Sequence, residues 1–242
     1  MSPRLLIPPS ARGTAGGSPP FRLSGRGSAA VFAVLGLIVL VATDQILPPT
    51  TDRQAELRFW LAGRATGLVA FGLLTVQVLV GLVMSHPHNK ATWKVSKRIF
   101  PWHEHLWVFV MAFLAIHILS LVADPKSGVD IVGAVVPGMS EYRNGAVALG
   151  TIGLYALLLT ALTARYTKLL PPGAWLRLHR VALVVFGLAW AHGVLAGTDS
   201  AVLRLPYVIA GVLVTLAGAY RYWVVRRPRT IAAGSAVEVA RT

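Results

Sequence analysis

Six stretches of about 20 predominantly apolar residues, separated by short polar connections, constrain this chain more than any other feature of it. They are Ser28–Leu47, Trp60–Met84, Trp102–Val122, Gly145–Ala164, Trp175–Leu195 and Val202–Trp223. A helix rising 1.5 Å per residue needs about that many to cross a hydrocarbon core of ~30 Å, where only self-bonded backbone is tolerated. The expected fold class is therefore an all-α membrane protein, a six-transmembrane-helix bundle. Tryptophans at several run ends suit an interfacial belt. The expected organisation is a disordered basic tail over 1–28, a helical domain over 29–223 and a short tail over 224–242. The Pro-, Gly-, Ser- and Arg-rich start reads as a tail rather than a signal peptide. No internal repeat is visible along the chain.

Composition agrees. Of 242 residues, 55% are hydrophobic and 13% charged, where a soluble domain carries roughly 25% charge. The absence of cysteine excludes disulfides, cysteine-ligated clusters and thioether-attached haem. The net charge of +14 could suggest nucleic acid, but its distribution favours membrane topology. With six spans, 17 Lys and Arg fall on the side of the termini and six on the other. Seven of the nine acids lie on the sparse side. Lys/Arg bias sets orientation, so both termini are expected to be cytoplasmic, and no nucleic-acid partner is expected, only membrane lipid.

The functional signal lies in histidine. His103 and His117 stand near the two ends of the third run, 14 residues apart. On a helix that is about 21 Å of rise, returning to within ~40° of the same face. His179 and His192, 13 residues apart, stand near the two ends of the fifth run. Both helices run the same way, so His103 faces His179 at one depth and His117 faces His192 at the other. Two facing imidazoles are what a six-coordinate haem iron requires, and two such rungs suit two stacked haems. Ionisable groups within a span are costly, which favours a functional reading. One detail fits poorly: 13 residues leave His179 and His192 about 140° apart on a straight helix. A π-bulge or a kink is expected in the fifth run, and Gly187 permits one. His105 is the alternative ligand to His103. His86 and His88, in S-H-P-H-N, read as a solvated loop. Phe186 and Trp190 lie where an electron path would run, or simply pack.

These residues resemble the ferric reductase-like transmembrane domain family, which includes the membrane domains of NADPH oxidases and ferric-chelate reductases and the haem subunit of a bacterial methionine-sulfoxide reductase system. The similarity covers roughly residues 29–223. It rests on HEHLWVFVMAFLAIH (103–117) and HRVALVVFGLAWAH (179–192), with GRATGLVAFGLL (63–74) and HGVLAGTD (192–199) also similar to bacterial members. The resemblance implies two b-type haems on His103, His117, His179 and His192, an oxidoreductase component of the plasma membrane, and electrons moving outward to an extracytoplasmic acceptor. By position Arg64 resembles an arginine near the outer haem, contacting a propionate or the acceptor. Residues 224–242 show no strand pattern and no G-x-G-x-x-G, so the expected donor is a separate cytoplasmic flavin reductase, or quinol. A quinol-linked cytochrome b and a haem-binding protein without turnover remain the alternatives.

The charge split makes topology directly testable. A reporter fused after Thr242 is expected on the cytoplasmic side and one inserted beside Asp130 on the outside; the reverse labelling would invert the assigned direction of electron flow.

Overall fold

The structure, a computed structural model, describes residues 25–41, 51–85, 90–198 and 201–226. Every regular element among them is helical: α1 (Gly25–Val41), α2 (Asp52–Met84), α3 (Lys90–Val122), α4 (Ile131–Val135), α5 (Asn144–Arg165), α6 (Ala174–His179), α7 (Ala182–Ala196) and α8 (Arg204–Arg226), with a 3₁₀ turn at Thr167–Leu169. Five stretches are long and apolar enough to cross a membrane: Leu57–Met84, Lys94–Val122, Asn144–Arg165, Ala174–Ala196 and Arg204–Trp223. The chain is a multi-pass membrane protein. α1 has 17 residues, about 25 Å of helix, and packs against α3.

The helices overrun the apolar stretches. α2 begins at Asp52 rather than Trp60, and α3 at Lys90 rather than Trp102, because a helix continues past the hydrocarbon edge while its sequence still favours it. α1 starts at Gly25, so the last residues of the expected tail form its first turn. The remainder of that tail, the end of the first apolar run, His86, His88 and everything beyond Arg226 lie outside the described residues.

Two antiparallel pairs organise the bundle: α2 against α3, and α5 against α6 and α7. α2 also touches α7 and α8, which ties the pairs together. Small residues allow the close approach of α2 to α3. A Cβ on Gly63 would sit 2.9 Å from a Leu121 methyl, so the Gly63–Gly67 G-x-x-x-G step is a packing face. Between the ends of the bundle lies an apolar block of Leu74, Val78, Val110, Val185, Phe186, Ala210 and Val214. Phe186 stacks on Phe71 at 5.9 Å, and Phe71 leans on Tyr207 at 5.2 Å.

The fifth apolar run is broken. α6 ends at His179 and α7 begins at Ala182. Arg180 (φ −65°, ψ −18°) and Val181 (φ −61°, ψ −16°) have 3₁₀-type dihedrals. The Val181 and Leu183 amides donate to carbonyls three residues back, Leu178 and Arg180. A 3₁₀ residue advances about 120° instead of 100°, so these two residues recover about 40° of the ~140° mismatch between His179 and His192. The irregularity is thus a tightened joint, not the widened turn of a π-bulge, and it falls at Arg180–Val181 rather than Gly187.

Candidate functional site

The four histidines on α3, α6 and α7 meet as two pairs. The rings of His103 and His179 are 6.0 Å apart at 82°. Those of His117 and His192 are 6.3 Å apart at 78°. The pairs sit at opposite ends of the central apolar block, separated along α3 by about 21 Å of rise. In neither pair are the rings close enough to hydrogen-bond one another directly. With imidazole nitrogen 2.0–2.1 Å from a metal and roughly 1.1 Å from its own ring centre, two rings on one metal atom stand about 6.3 Å apart. Both separations fit that span.

At the His117–His192 level each ring is seated in a notch on the neighbouring helix. His117 Nδ1 lies 2.6 Å from the Gly63 carbonyl, and His192 Nδ1 lies 2.8 Å from the Ala146 carbonyl. A carbonyl only accepts, so both Nδ1 atoms carry the proton and donate it, which leaves Nε2 with the lone pair in each neutral ring. This is the arrangement of histidines that ligate metals, whose other nitrogen is held by an outer hydrogen bond. The notches are made by glycine. A Cβ on Gly67 would stand 2.7 Å from His117 Nδ1, and one on Gly150 would stand 2.7 Å from His192 Nδ1. In both cases the accepting carbonyl is four residues before the glycine. The α2–α3 and α5–α7 pairs therefore repeat one local design that is not visible along the chain.

The slot between α3 and α7 is a cavity of about 1380 Å³, counting space open to the surroundings. His117, His192, Gly67 and Gly150 line it, Leu74, Val110 and Val185 close it toward the core, and Trp60, Arg64, Tyr142 and Gly197 stand at its far end. The Arg64 guanidinium lies over the Trp60 ring at 5.7 Å, and Trp60 meets Tyr142 edge-on at 5.5 Å. Tyr142 Oη donates to the Ala196 carbonyl at 2.8 Å, and Arg143 donates to the Leu195 carbonyl at 2.7 Å. The exposed last carbonyls of α7 are thereby capped, with a cation at the negative end of its dipole.

The His103–His179 level is built differently. The Nδ1 atoms of both rings are buried without a hydrogen-bond partner, as is Gln77 Oε1. Gln77, on α2, donates through Nε2 to the His103 carbonyl at 3.0 Å. Gly81 makes room for His103, its Cβ position lying 3.2 Å from His103 Cε1. His105 turns away: its Nδ1 lies 2.6 Å from the Pro101 carbonyl of its own helix. Trp175 lies 6.1 Å from His179. Phe186 belongs to the apolar block, and Trp190 Nε1 donates to the Tyr207 carbonyl at 2.9 Å, tying α7 to α8. Neither ring is part of a histidine pair.

The donor set fits haem. Each level supplies two imidazoles, the number a six-coordinate haem iron would take, and among the described residues no three or more His, Cys, Asp or Glu are grouped to hold a metal ion. Gly67, Gly81, Gly150, Ala146 and Gln77 are the site residues that sequence reasoning missed. A signal was present: Gly67 and Gly81 are 14 residues apart on α2, the same spacing as His103 and His117 on its antiparallel partner. No protein-family model, curated protein or solved structure matches the chain.

Glycine at the notches is a steric requirement, which sets an expected outcome. Gly67→Ala and Gly150→Ala each place a methyl group against a histidine ring and should cost about 1–3 kcal/mol, the usual penalty of overpacking. Gly72→Ala has open space and should be neutral or stabilising. Thermal unfolding of the purified protein in detergent reads the difference, and equal behaviour of all three variants would remove the notch argument.

Proposed function

We propose that the chain is a di-haem b transmembrane electron-transfer subunit, an oxidoreductase component that moves electrons across the membrane. The observation that carries this reading is the pair of ring separations, 6.0 and 6.3 Å, at two depths of one bundle. When bound, each haem supplies a one-electron iron couple whose potential is set by its ligands, burial and nearby charge. His103 with His179, and His117 with His192, would each hold one haem iron. Held in this way, the haems would exchange single electrons with donor and acceptor without binding either at the iron.

The residues of the chain do the rest. The Gly63 and Ala146 carbonyls fix the rotation and tautomer of His117 and His192 and raise the basicity of Nε2. The apolar block between the levels excludes water from the route. Arg64, lining the same cavity as His117 and His192, is suited to a propionate or to an anionic acceptor.

In this reading α1 is a sixth span and both termini are cytoplasmic, following the distribution of Lys and Arg. The His103–His179 level then faces the cytoplasm and receives electrons. Lys94, Lys97, Arg98, Arg165, Lys168, Arg177 and Arg180 surround that end, a basic surface suited to docking an acidic flavin reductase. The His117–His192 level faces an extracytoplasmic acceptor.

Purified protein should carry about two low-spin haems per chain, one per histidine pair, by pyridine haemochrome. His117→Ala or His192→Ala should remove one haem and spare the other level; His103→Ala or His179→Ala should do the reverse. Loss of the His103-level haem in His105→Ala but not in His103→Ala would reassign that ligand, and a folded, active, haem-free protein would end the proposal.

The donor is tested separately. NADPH alone should leave the haems oxidised, and NADPH with a flavin reductase should reduce them, several-fold more slowly as salt screens the basic face. Reduction by quinol only would assign the donor to the membrane pool.

A further inference from the structure

The connection between α3 and α5 has features that a solvated loop does not need. It is tied at its neck, where the Tyr142 amide donates to the Gly128 carbonyl at 3.0 Å and Ser140 Oγ donates to the Tyr142 carbonyl at 3.0 Å. Gly128 (φ 68°) and Gly138 (φ 88°) supply the left-handed turns that let it double back. Between the charged residues Asp130 and Glu141 runs IVGAVVPGMS, ten residues without a charge. Asp130 caps the short helix α4, its Oδ1 accepting from the Gly133 amide at 2.7 Å.

The depth of α4 is given by its partners on α5. The Ala134 carbonyl accepts from Thr151 Oγ1 at 3.1 Å, and the Val135 carbonyl accepts from Tyr155 Oη. Thr151 lies about 10 Å along α5 from Asn144, in a helix whose 22 residues give about 33 Å, close to the hydrocarbon thickness. Thr151 also follows Gly150, the notch of His192, so the end of α4 is level with the His117–His192 pair. Ala134 and Val129 line the cavity at that level. On the opposite side Ile131 is 66% and Met139 59% exposed, and Val132, Val135 and Val136 are exposed beside them.

We propose that residues 131–139 form a re-entrant segment whose outward face is covered by lipid acyl chains while its inward face walls the His117–His192 cavity. The hydrogen bonds argue for lipid rather than water. The last carbonyls of a short helix have no partners of their own. In water they need none from the protein. In hydrocarbon an unbonded carbonyl is prohibitively costly, and irregular backbone is tolerated only where protein satisfies it. Here two hydroxyls from a spanning helix reach the Ala134 and Val135 carbonyls, the Val136 carbonyl accepts from the Met139 amide, and the Gly138 carbonyl accepts from Asn144 Nδ2. Five clustered apolar side chains at that depth meet chains of their own polarity. The inference rests on the membrane-spanning character of α5 and not on haem, so haem-free protein would test it equally well.

The chain has no cysteine, which allows single-site labelling of the otherwise unaltered protein. Ile131→Cys, Val135→Cys and Met139→Cys would be placed in phosphatidylcholine nanodiscs, with the exposed positions Lys126→Cys and Glu141→Cys as references. A bimane label at the first three should be quenched strongly by a nitroxide on the lipid acyl chain and weakly by iodide, and the thiols should react with a charged maleimide at least about tenfold more slowly than the references. Adding Thr151→Val and Tyr155→Phe should raise the reactivity of Val135→Cys several-fold without loss of helical circular dichroism. Reaction of all five positions at one rate would overturn the proposal. So would protection in native membranes that disappears in nanodiscs, because it would assign the face to a protein partner.

Discussion

A polar atom placed in hydrocarbon must bring its hydrogen-bond partner or find one within the protein, and the structure follows from that requirement. It makes the spans helical, since a helix bonds its own backbone. It explains why Thr66 and Thr75, inside α2, return their hydroxyls to the Ala62 and Phe71 carbonyls of their own helix. It governs histidine most sharply. An imidazole has two nitrogens, and at the His117–His192 level a backbone carbonyl takes one of them, leaving the other directed by default to whatever occupies the slot. The carbonyl is reachable only because glycine lets the ring lie against the helix, so the chemistry of the site depends on an absent side chain.

The two ends of the bundle resolve the same requirement unequally. His117 and His192 are each held by a carbonyl, with the cavity closed around them by the neck of the α3–α5 connection and the capped end of α7. His103 and His179 have no such bond, and the nearest amide, Gln77, spends its donor on the His103 backbone. Buried atoms without partners invite water or a ligand. A carbonyl bonded to Nδ1 makes the ring a stronger electron donor to a metal. The two levels are therefore chemically distinct even though each offers two imidazoles.

The joint at Arg180–Val181 shows how far one-dimensional reasoning reaches. The spacing of His179 and His192 conflicts with a straight helix, so an irregularity between them is required by arithmetic alone. Its position and kind are not. Arg180–Val181 tightens into 3₁₀ geometry because α6 packs on α5 near one end while α7 must present His192 to the Ala146–Gly150 notch at the other, a condition set by two helices together. In the same way the sequence marks His103 and His105 as near neighbours without separating them. The structure turns His105 onto the Pro101 carbonyl and leaves His103 facing His179.

Hydropathy is a property of each segment alone, so the sequence by itself determined the helical class, the membrane-spanning character of five of the apolar runs, and the two depths at which histidine recurs. Helical rise is fixed, and depth can be counted in residues. Which helices pair, and therefore which glycine lies against which ring, was decided only by the tertiary structure. The Gly67–Gly81 spacing acquires meaning once α2 is antiparallel to α3, and Gly150 once α5 lies beside α7. α4 was hidden for a related reason. Five residues carry too little periodicity to mark a helix, and its carbonyls are satisfied by hydroxyls about 20 residues away, an arrangement that exists only after the chain has folded back on α5.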